Sequence, residues 1–362
     1  MLEGARKWLE VRVGWEELKR TQLTGYKVPA DINFFYTLGF VALFGFVLQA
    51  LTGFLLLIYY VPHPDYAFES VRRITEDVPF GWLVRLSHVT GSNLVVAVVL
   101  LHMASVFVMG SYRKPRELTW TVGALMLLLA LTFCLSGYLL PWSQLSYWAT
   151  TIVTNLPTAF PYVGTWFAGL LKGGEAVSGA TLGRFFALHV AILPTLLVAL
   201  VSVHIFLVRR IGISSPPSPG RQEPEWTEFR HESHPEGRPF YPDFFMRELY
   251  MVMFYMALMF FVVAFAPGLF LPHEANAPAD PLRTPEHIKP EWYFLAAYQM
   301  LRLIPSKFLG VALQVAAVAA FVLLPFLDTG RERDIRKRPF ALAGFLVVTA
   351  LLVALSIWGK YS

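Results

Sequence analysis

Seven apolar stretches constrain this chain more than any other feature: residues 33–60, 80–110, 118–140, 182–210, 246–270, 308–328 and 340–360. Each reaches the roughly 20 residues that a helix needs to cross a bilayer. They predict an all-α fold, a polytopic membrane protein of about seven transmembrane helices. Charged residues make up 15% of the chain, against about 25% in soluble domains, and the mean hydropathy is +0.51, which excludes an ordinary soluble enzyme. An aromatic content of 15% excludes a disordered chain. The net charge of +5 does not indicate nucleic acid, because no basic domain interleaved with aromatics is present to bind it.

Residues 1–32 are charged and amphipathic, without the apolar core or cleavage site of a signal peptide, and read as an N-terminal interfacial helix. Residues 33–210 carry four spans and 246–362 carry three. Between them, 211–245 contains Ser214-Ser215-Pro216-Pro217-Ser218-Pro219-Gly220 and reads as a linker. The stretch 143–175 is broken by Pro157, Pro161 and Gly173-Gly174, and predicts short surface helices rather than a span. With seven spans the loops alternate sides. The set 1–32, 111–117, 209–247 and 329–339 holds 20 of the 30 Lys and Arg residues, so that side, with the N-terminus and the linker, is assigned to the cytoplasm.

A single cysteine, Cys134, excludes a disulfide scaffold, thiolate-ligated clusters and a Cys-x-x-Cys-His haem attachment. A cofactor would have to hang on histidine or oxygen. Of nine histidines, His63, His231, His234, His273 and His287 fall in loops. The other four lie in spans, where ionisable side chains are costly and often functional. His88 and His102 share the second span, 14 residues apart, and His189 and His204 the fourth, 15 apart. At about 100° and 1.5 Å per residue, each pair returns to within about 40° to 60° of one face, roughly 21 to 22 Å along the axis. Both spans run the same way, so His88 and His189 share one depth, toward the positive side, and His102 and His204 share the other. Two facing imidazoles fill both axial positions of a haem iron, which favours electron transfer over oxygen chemistry. Two such sets, with all four histidines as metal ligands, predict two b-type haems. Gly39 and Gly53 on the first span are also 14 apart, as are Gly123 and Gly137 on the third. Glycine costs about 1 kcal/mol in a helix interior. Close helix packing is one account of the four; beside the histidine pairs, backbone approach to two flat macrocycles is the better one. Arg85 and Arg209 are candidate partners for haem propionates, or interfacial anchors.

The stretch Pro290-Glu291-Trp292-Tyr293-Phe294 lies between the fifth and sixth spans. Glu291 precedes an aromatic run at the membrane boundary, where desolvation raises a carboxyl pKa toward a value useful for proton transfer; an interfacial glutamate in an aromatic belt is the plainer alternative.

Together with Gln49-Ala50-Leu51-Thr52-Gly53, Arg85-Leu86-Ser87-His88, Gly137-Tyr138-Leu139-Leu140-Pro141-Trp142 and His287-Ile288-Lys289 leading into Pro290, these residues resemble cytochrome b of the quinol-oxidising bc complexes over about residues 30–330. The resemblance implies a subunit of a quinol:cytochrome c reductase, or one with an equivalent acceptor. Quinol would be oxidised at the positive side, one electron crossing the membrane through two non-covalent b haems to a quinone-reducing site and contributing to a proton-motive force. The implied partners are a Rieske iron–sulfur protein, a c-type cytochrome or equivalent acceptor, lipid and quinone, in a homodimeric complex. Glu291, as proton acceptor, and Tyr293 are the implied catalytic residues. Pro290, Trp292, Tyr147 and Ala149 would line the quinol site, and Arg247-Glu248, after Phe240-Tyr241-Pro242, aligns with a family Lys-Asp pair at the quinone-reducing site. The implied location is a bacterial cytoplasmic membrane.

Departures from the family pattern define the branch. The 15-residue histidine interval and seven spans resemble the chloroplast-type arrangement, in which a four-helix cytochrome b and a three-helix subunit are separate; here they form one chain. Thr37 stands where that branch has a cysteine anchoring a further haem, so no covalent third haem is expected. Cys134 reads as a small buried residue. Ser105 replaces an Arg found one turn after His102 in many relatives, leaving Arg209, Arg113 or Lys114 as propionate partners on the negative side. Two other readings are weaker. A di-haem membrane anchor of a dehydrogenase leaves the Pro290–Phe294 segment unused, and a proton-relaying transporter leaves the glycine period unexplained.

Overall fold

The computed structural model describes residues 2–218, 225–286 and 288–362; Pro219 and Gly220 of the linker motif, and His287, lie outside them. Among the described residues, six helices are long and apolar enough to cross a membrane. Five of these are α1 (Leu38–Leu57), α2 (Gly81–Val108), α3 (Glu117–Leu139), α4 (Gly179–Ile211) and α5 (Phe245–Phe265). α1 follows a 3-10 turn over Phe34–Thr37, where Asn33 Oδ1 accepts from the Phe35 amide at 3.0 Å. α4 opens on a capping box formed by Ser178 and Thr181.

The span expected at 308–328 is realised differently, as α6 (Lys307–Val322), 16 residues long, and a separate turn, Leu324–Leu327. The break has a covalent cause. Pro325 has no N–H to give the carbonyl four residues earlier, which belongs to Phe321. The Trp120 indole of α3 donates to that carbonyl instead, at 2.9 Å. The sixth long helix is α7 (Pro339–Tyr361), whose Leu346, Val347, Leu351 and Leu352 are more than half exposed, as lipid-facing side chains are.

A π turn over Leu188–Ile192 interrupts α4 around His189. Pro194, just beyond it, withdraws the donor that the Val190 carbonyl would use in an α-helix. The wider turn takes up one extra residue. It therefore absorbs the difference between the 15-residue interval on α4 and the 14-residue interval on α2.

α1 packs along α2, α3 along α4, and α5 against both α1 and α2. One core joins Val41 and Ala42 of α1, Val95, Val99 and Met103 of α2, Trp120, Ala124 and Leu127 of α3, and Val252 and Tyr255 of α5. The 143–175 stretch forms short helices, Gln144–Asn155 and Val163–Lys172, the second ended by Gly173 at φ 78°. Residues 27–28 pair antiparallel with 238–239. At the same end of the bundle Asp328 receives Arg113, Arg338 and the Tyr112 hydroxyl, and Arg113 also donates to the Glu332 carbonyl at 2.8 Å. Arg116 meets Glu232 at 2.5 Å. Burial pushes the Glu232 carboxyl up, but Arg116 and the Ser215 amide outweigh that and hold it below the usual range.

Candidate functional site

The glycines predicted by period each back one histidine. The imidazole is the nearest group a methyl would meet, at 3.4 Å for Gly39 (His102), 3.3 Å for Gly53 (His88), 3.4 Å for Gly123 (His204) and 2.6 Å for Gly137 (His189). The bundle is thus two tight helix pairs, each with one glycine helix and one histidine helix. The pairs face each other through their rings. His88 and His189 are 6.4 Å apart between ring centroids, with planes inclined at 73°. His102 and His204 are electrostatic neighbours at the other depth.

Hydroxyls meet the Nδ1 atoms of the first pair. Thr52 Oγ1 donates to the Leu48 carbonyl at 2.8 Å, so it accepts from His88 Nδ1 at 2.9 Å. Ser136 Oγ donates to the Phe133 carbonyl at 3.1 Å and accepts from His189 Nδ1 at 3.0 Å. With its proton on Nδ1, shared with that hydroxyl, each ring would present Nε2 as a metal ligand. The Gln49 amide, oriented to satisfy both its ends, donates to the His88 carbonyl at 2.9 Å, places the same nitrogen 3.3 Å from His88 Nδ1, and accepts from the Ser92 amide at 3.1 Å.

These features fit a haem. A metal bound at about 2 Å to one nitrogen of each ring, with a little over 1 Å from nitrogen to ring centre on either side, needs roughly 6 Å between centroids. Among the described residues no group of three or more His, Cys, Asp or Glu side chains gathers to hold a metal ion. Two axial imidazoles alone suit a metal that brings its own equatorial donors. Arg85, expected near a propionate, donates to Thr75 Oγ1 at 2.8 Å through one of its nitrogens.

The Pro290–Phe294 segment lies against the turn of α3 that backs His189. The Tyr138 hydroxyl donates to Glu291, and Tyr293 shares a hydrogen bond with Cys134. Burial pushes the Glu291 carboxyl above its ordinary range, offset in part by Tyr138, and burial likewise pushes the Tyr293 phenol up. Trp292 Nε1 donates to Asn93 Oδ1 at 3.0 Å, five residues beyond His88. Pro290 and Ala149 are half-buried. Tyr147 is buried and turns its hydroxyl to the Val177 carbonyl at 3.3 Å. A cavity of about 670 Å³ opens nearby, lined by Trp148, Thr151, Ile152, Ile288, Lys289 and Tyr298; neither Tyr147 nor Ala149 lines it.

At the opposite end Glu248 is 6% exposed, with Oε2 unpartnered among the described residues. Its electrostatic neighbour is Arg209, whose guanidinium stacks 4.2 Å over Tyr26, donates to the Gln22 carbonyl at 3.2 Å and keeps a buried Nη1 without a partner among the described residues. Arg247 donates to the Ile32 carbonyl at 3.3 Å. Arg113 is engaged by Asp328, and Ser105 bonds back to the His102 carbonyl at 2.7 Å. Thr37 is fully buried and donates to the Phe34 carbonyl at 2.6 Å. The sequence reading did not single out Thr52, Ser136 or Asn93 for roles of their own. The available signal was a hydroxyl immediately before each of Gly53 and Gly137.

Two family models match the chain, Cytochrome b/b6/petB over residues 23–212 and Cytochrome b(C-terminal)/b6/petD over residues 278–362. Cytochrome b of Rickettsia prowazekii is 36% identical over 359 residues, covering 99% of this chain and 87% of that protein. Cytochrome b of Allochromatium vinosum is 38% identical over 337 residues, with 91% and 81% covered. Among solved structures, a chain described as a hyperthermophilic respiratory Complex III superposes with a TM-score of 0.88 at 40% identity, covering 98% of this chain and 91% of that one. With six apolar membrane-spanning helices and these relatives, the chain belongs to the cytochrome b family of integral membrane proteins, as the haem-binding cytochrome b of a bc complex resembling respiratory complex III.

Proposed function

We propose that this chain oxidises quinol at its positive face and reduces quinone at its negative face, as the cytochrome b subunit of a quinol:cytochrome c reductase or of one with an equivalent acceptor. The proposed organisation is an interfacial helix over 1–32, a di-haem domain over 33–210, a linker over 211–245 and a quinol-site domain over 246–362. The observation that carries the reading is the single α3 turn from Cys134 to Tyr138. It presents Ser136 and Gly137 to His189, and Cys134 and Tyr138 to Tyr293 and Glu291. Proton acceptor and electron acceptor would thus flank one substrate.

Two b haems, held by His88/His189 and His102/His204, would supply one-electron carriers at the two depths. Glu291, with its pKa raised by burial, is a stronger base than an ordinary carboxylate and better matched to a quinol proton. Tyr293 and Trp292 hold the segment in register on α3 and α2. On the negative side, among the described residues, Glu248 and Arg209 each keep a buried polar atom without a partner, a proton carrier for quinone and a donor for a haem propionate, while Arg247 anchors the helix to Ile32. The quinol electron that does not enter the His88/His189 haem would go to a Rieske iron–sulfur partner and on to a c-type cytochrome or equivalent. Sidedness follows the Lys/Arg distribution, with the N-terminus on the cytoplasmic side of a bacterial cytoplasmic membrane.

A pyridine haemochrome assay on the purified complex tests the ligand sets. Two non-covalent b haems per chain are expected, and His102→Ala removes one while the His88/His189 haem keeps its spectrum; loss of the latter instead refutes the pairing. Quinol oxidation rises with pH as Glu291 ionises, through a pKa above the ordinary value of about 4.3. Glu291→Gln slows turnover and abolishes that acid limb, and an unchanged profile removes Glu291 from the proton path.

A further inference from the structure

The two histidine pairs differ in one respect that their shared architecture does not require. In three of the four positions the ring lies toward a backbone carbonyl of the partner glycine helix: Gln49 for His88, Phe133 for His189 and Thr119 for His204. Each of these carbonyls is four residues before the glycine that backs the ring. The hydroxyls are not shared. Thr52 and Ser136 stand immediately before Gly53 and Gly137 and accept from His88 Nδ1 and His189 Nδ1. The same positions before Gly39 and Gly123 are Leu38 and Val122, and among the described residues no side chain bonds the buried Nδ1 atoms of His102 and His204.

We propose that Thr52 and Ser136 are potential-setting residues, which hold the His88/His189 haem at a lower midpoint than aliphatic Leu38 and Val122 leave the His102/His204 haem. The inference rests on the haem assignment proposed above. An acceptor on Nδ1–H makes the imidazole a more basic ligand and so favours the ferric over the ferrous state. Neither hydroxyl can reverse its role, because each already donates its one proton to a helix carbonyl. The difference in potential then points electrons from the positive-side pair toward the negative-side pair. Thr52 and Ser136 act through the ligands, as positioning residues, without touching substrate.

The test is a potentiometric titration of the haem absorption bands in the purified complex, with the low-spin ferric EPR signals as a second readout. Thr52→Val, which keeps the shape and removes the acceptor, raises the reduced-to-oxidised ratio of the positive-side haem at fixed ambient potential about tenfold, or about 59 mV for one electron. Ser136→Ala shifts it in the same direction, and Thr52→Ser restores the wild-type value. Val122→Ser, adding an acceptor beside His204, lowers the midpoint of the negative-side haem. If Thr52→Val and Ser136→Ala retain both b haems with midpoints and EPR signals unmoved, the inference is overturned and the haem assignment stands. A wild-type complex without two bis-histidine haems overturns the assignment and the inference with it.

Discussion

Gly137 is the tightest point of the candidate haem site, since a methyl there would stand 2.6 Å from His189 Cε1, against 3.3 to 3.4 Å at Gly39, Gly53 and Gly123. A ring that held a haem iron could not retreat, and overpacking of this kind costs about 1 to 3 kcal/mol. Gly137→Ala is therefore expected to lose most of the positive-side haem, and Gly53→Ala, whose methyl would stand 3.3 Å from His88, distinctly less of it. Reduced-minus-oxidised spectra of the two variants decide this, and equal losses would contradict it. The glycines and histidines were legible because they share a period of 14 or 15, which a helix converts into a common face. What the glycines touch was not legible, since the period cannot separate a macrocycle from the imidazole beside it. Thr52 and Ser136 stayed hidden for another reason. Hydroxyls in apolar helices commonly bond back to their own carbonyls, as Thr132, Thr195 and Ser202 do here. Only the ring's position gives two of them a second task.

Helix boundaries respond to single missing donors, which averaged hydropathy does not register. The apolar run 308–328 reads as one span, yet Pro325 ends α6 at Val322 and hands the Phe321 carbonyl to Trp120. A buried carbonyl left without a donor costs about 1 to 3 kcal/mol. Trp120→Phe is expected to destabilise the protein by about that amount, measured by thermal unfolding in detergent. Pro325→Ala restores a backbone donor four residues after Phe321, so the Trp120→Phe penalty should shrink in that background. Additive effects would show that the indole does not substitute for the missing amide. The π turn at Leu188–Ile192 is the same kind of event on α4. The 15-residue interval records it in the sequence, as one residue too many for a face that repeats every 14.

The two halves of the chain are held by more than the linker. Val252 and Tyr255 of α5 belong to the core formed by α1, α2 and α3, the Tyr255 hydroxyl donates to the Gly91 carbonyl at 3.2 Å, and Trp292 is tied to Asn93. At the basic end, Asp328 collects Arg338, ten residues on, together with Tyr112 and Arg113, more than 200 residues away in the other half. The apolar spans and the sorting of Lys and Arg could be read from composition. These junctions could not, because pairing between distant polar residues has no local signature. Their strength implies that the covalent connection is dispensable. A chain cut within 211–245 and co-expressed as two pieces is expected to assemble with both haems, detected by co-purification and haem content. Asp328→Ala leaves two largely buried arginines without their carboxylate, and breaking such a pair costs about 3 kcal/mol or more. In the intact chain the linker keeps the halves at high effective concentration, so Asp328→Ala should preserve assembly there. In the cut chain the same substitution should weaken association about a hundredfold. Equal recovery of the cut protein with and without Asp328 would place the cohesion of the halves in the apolar core alone.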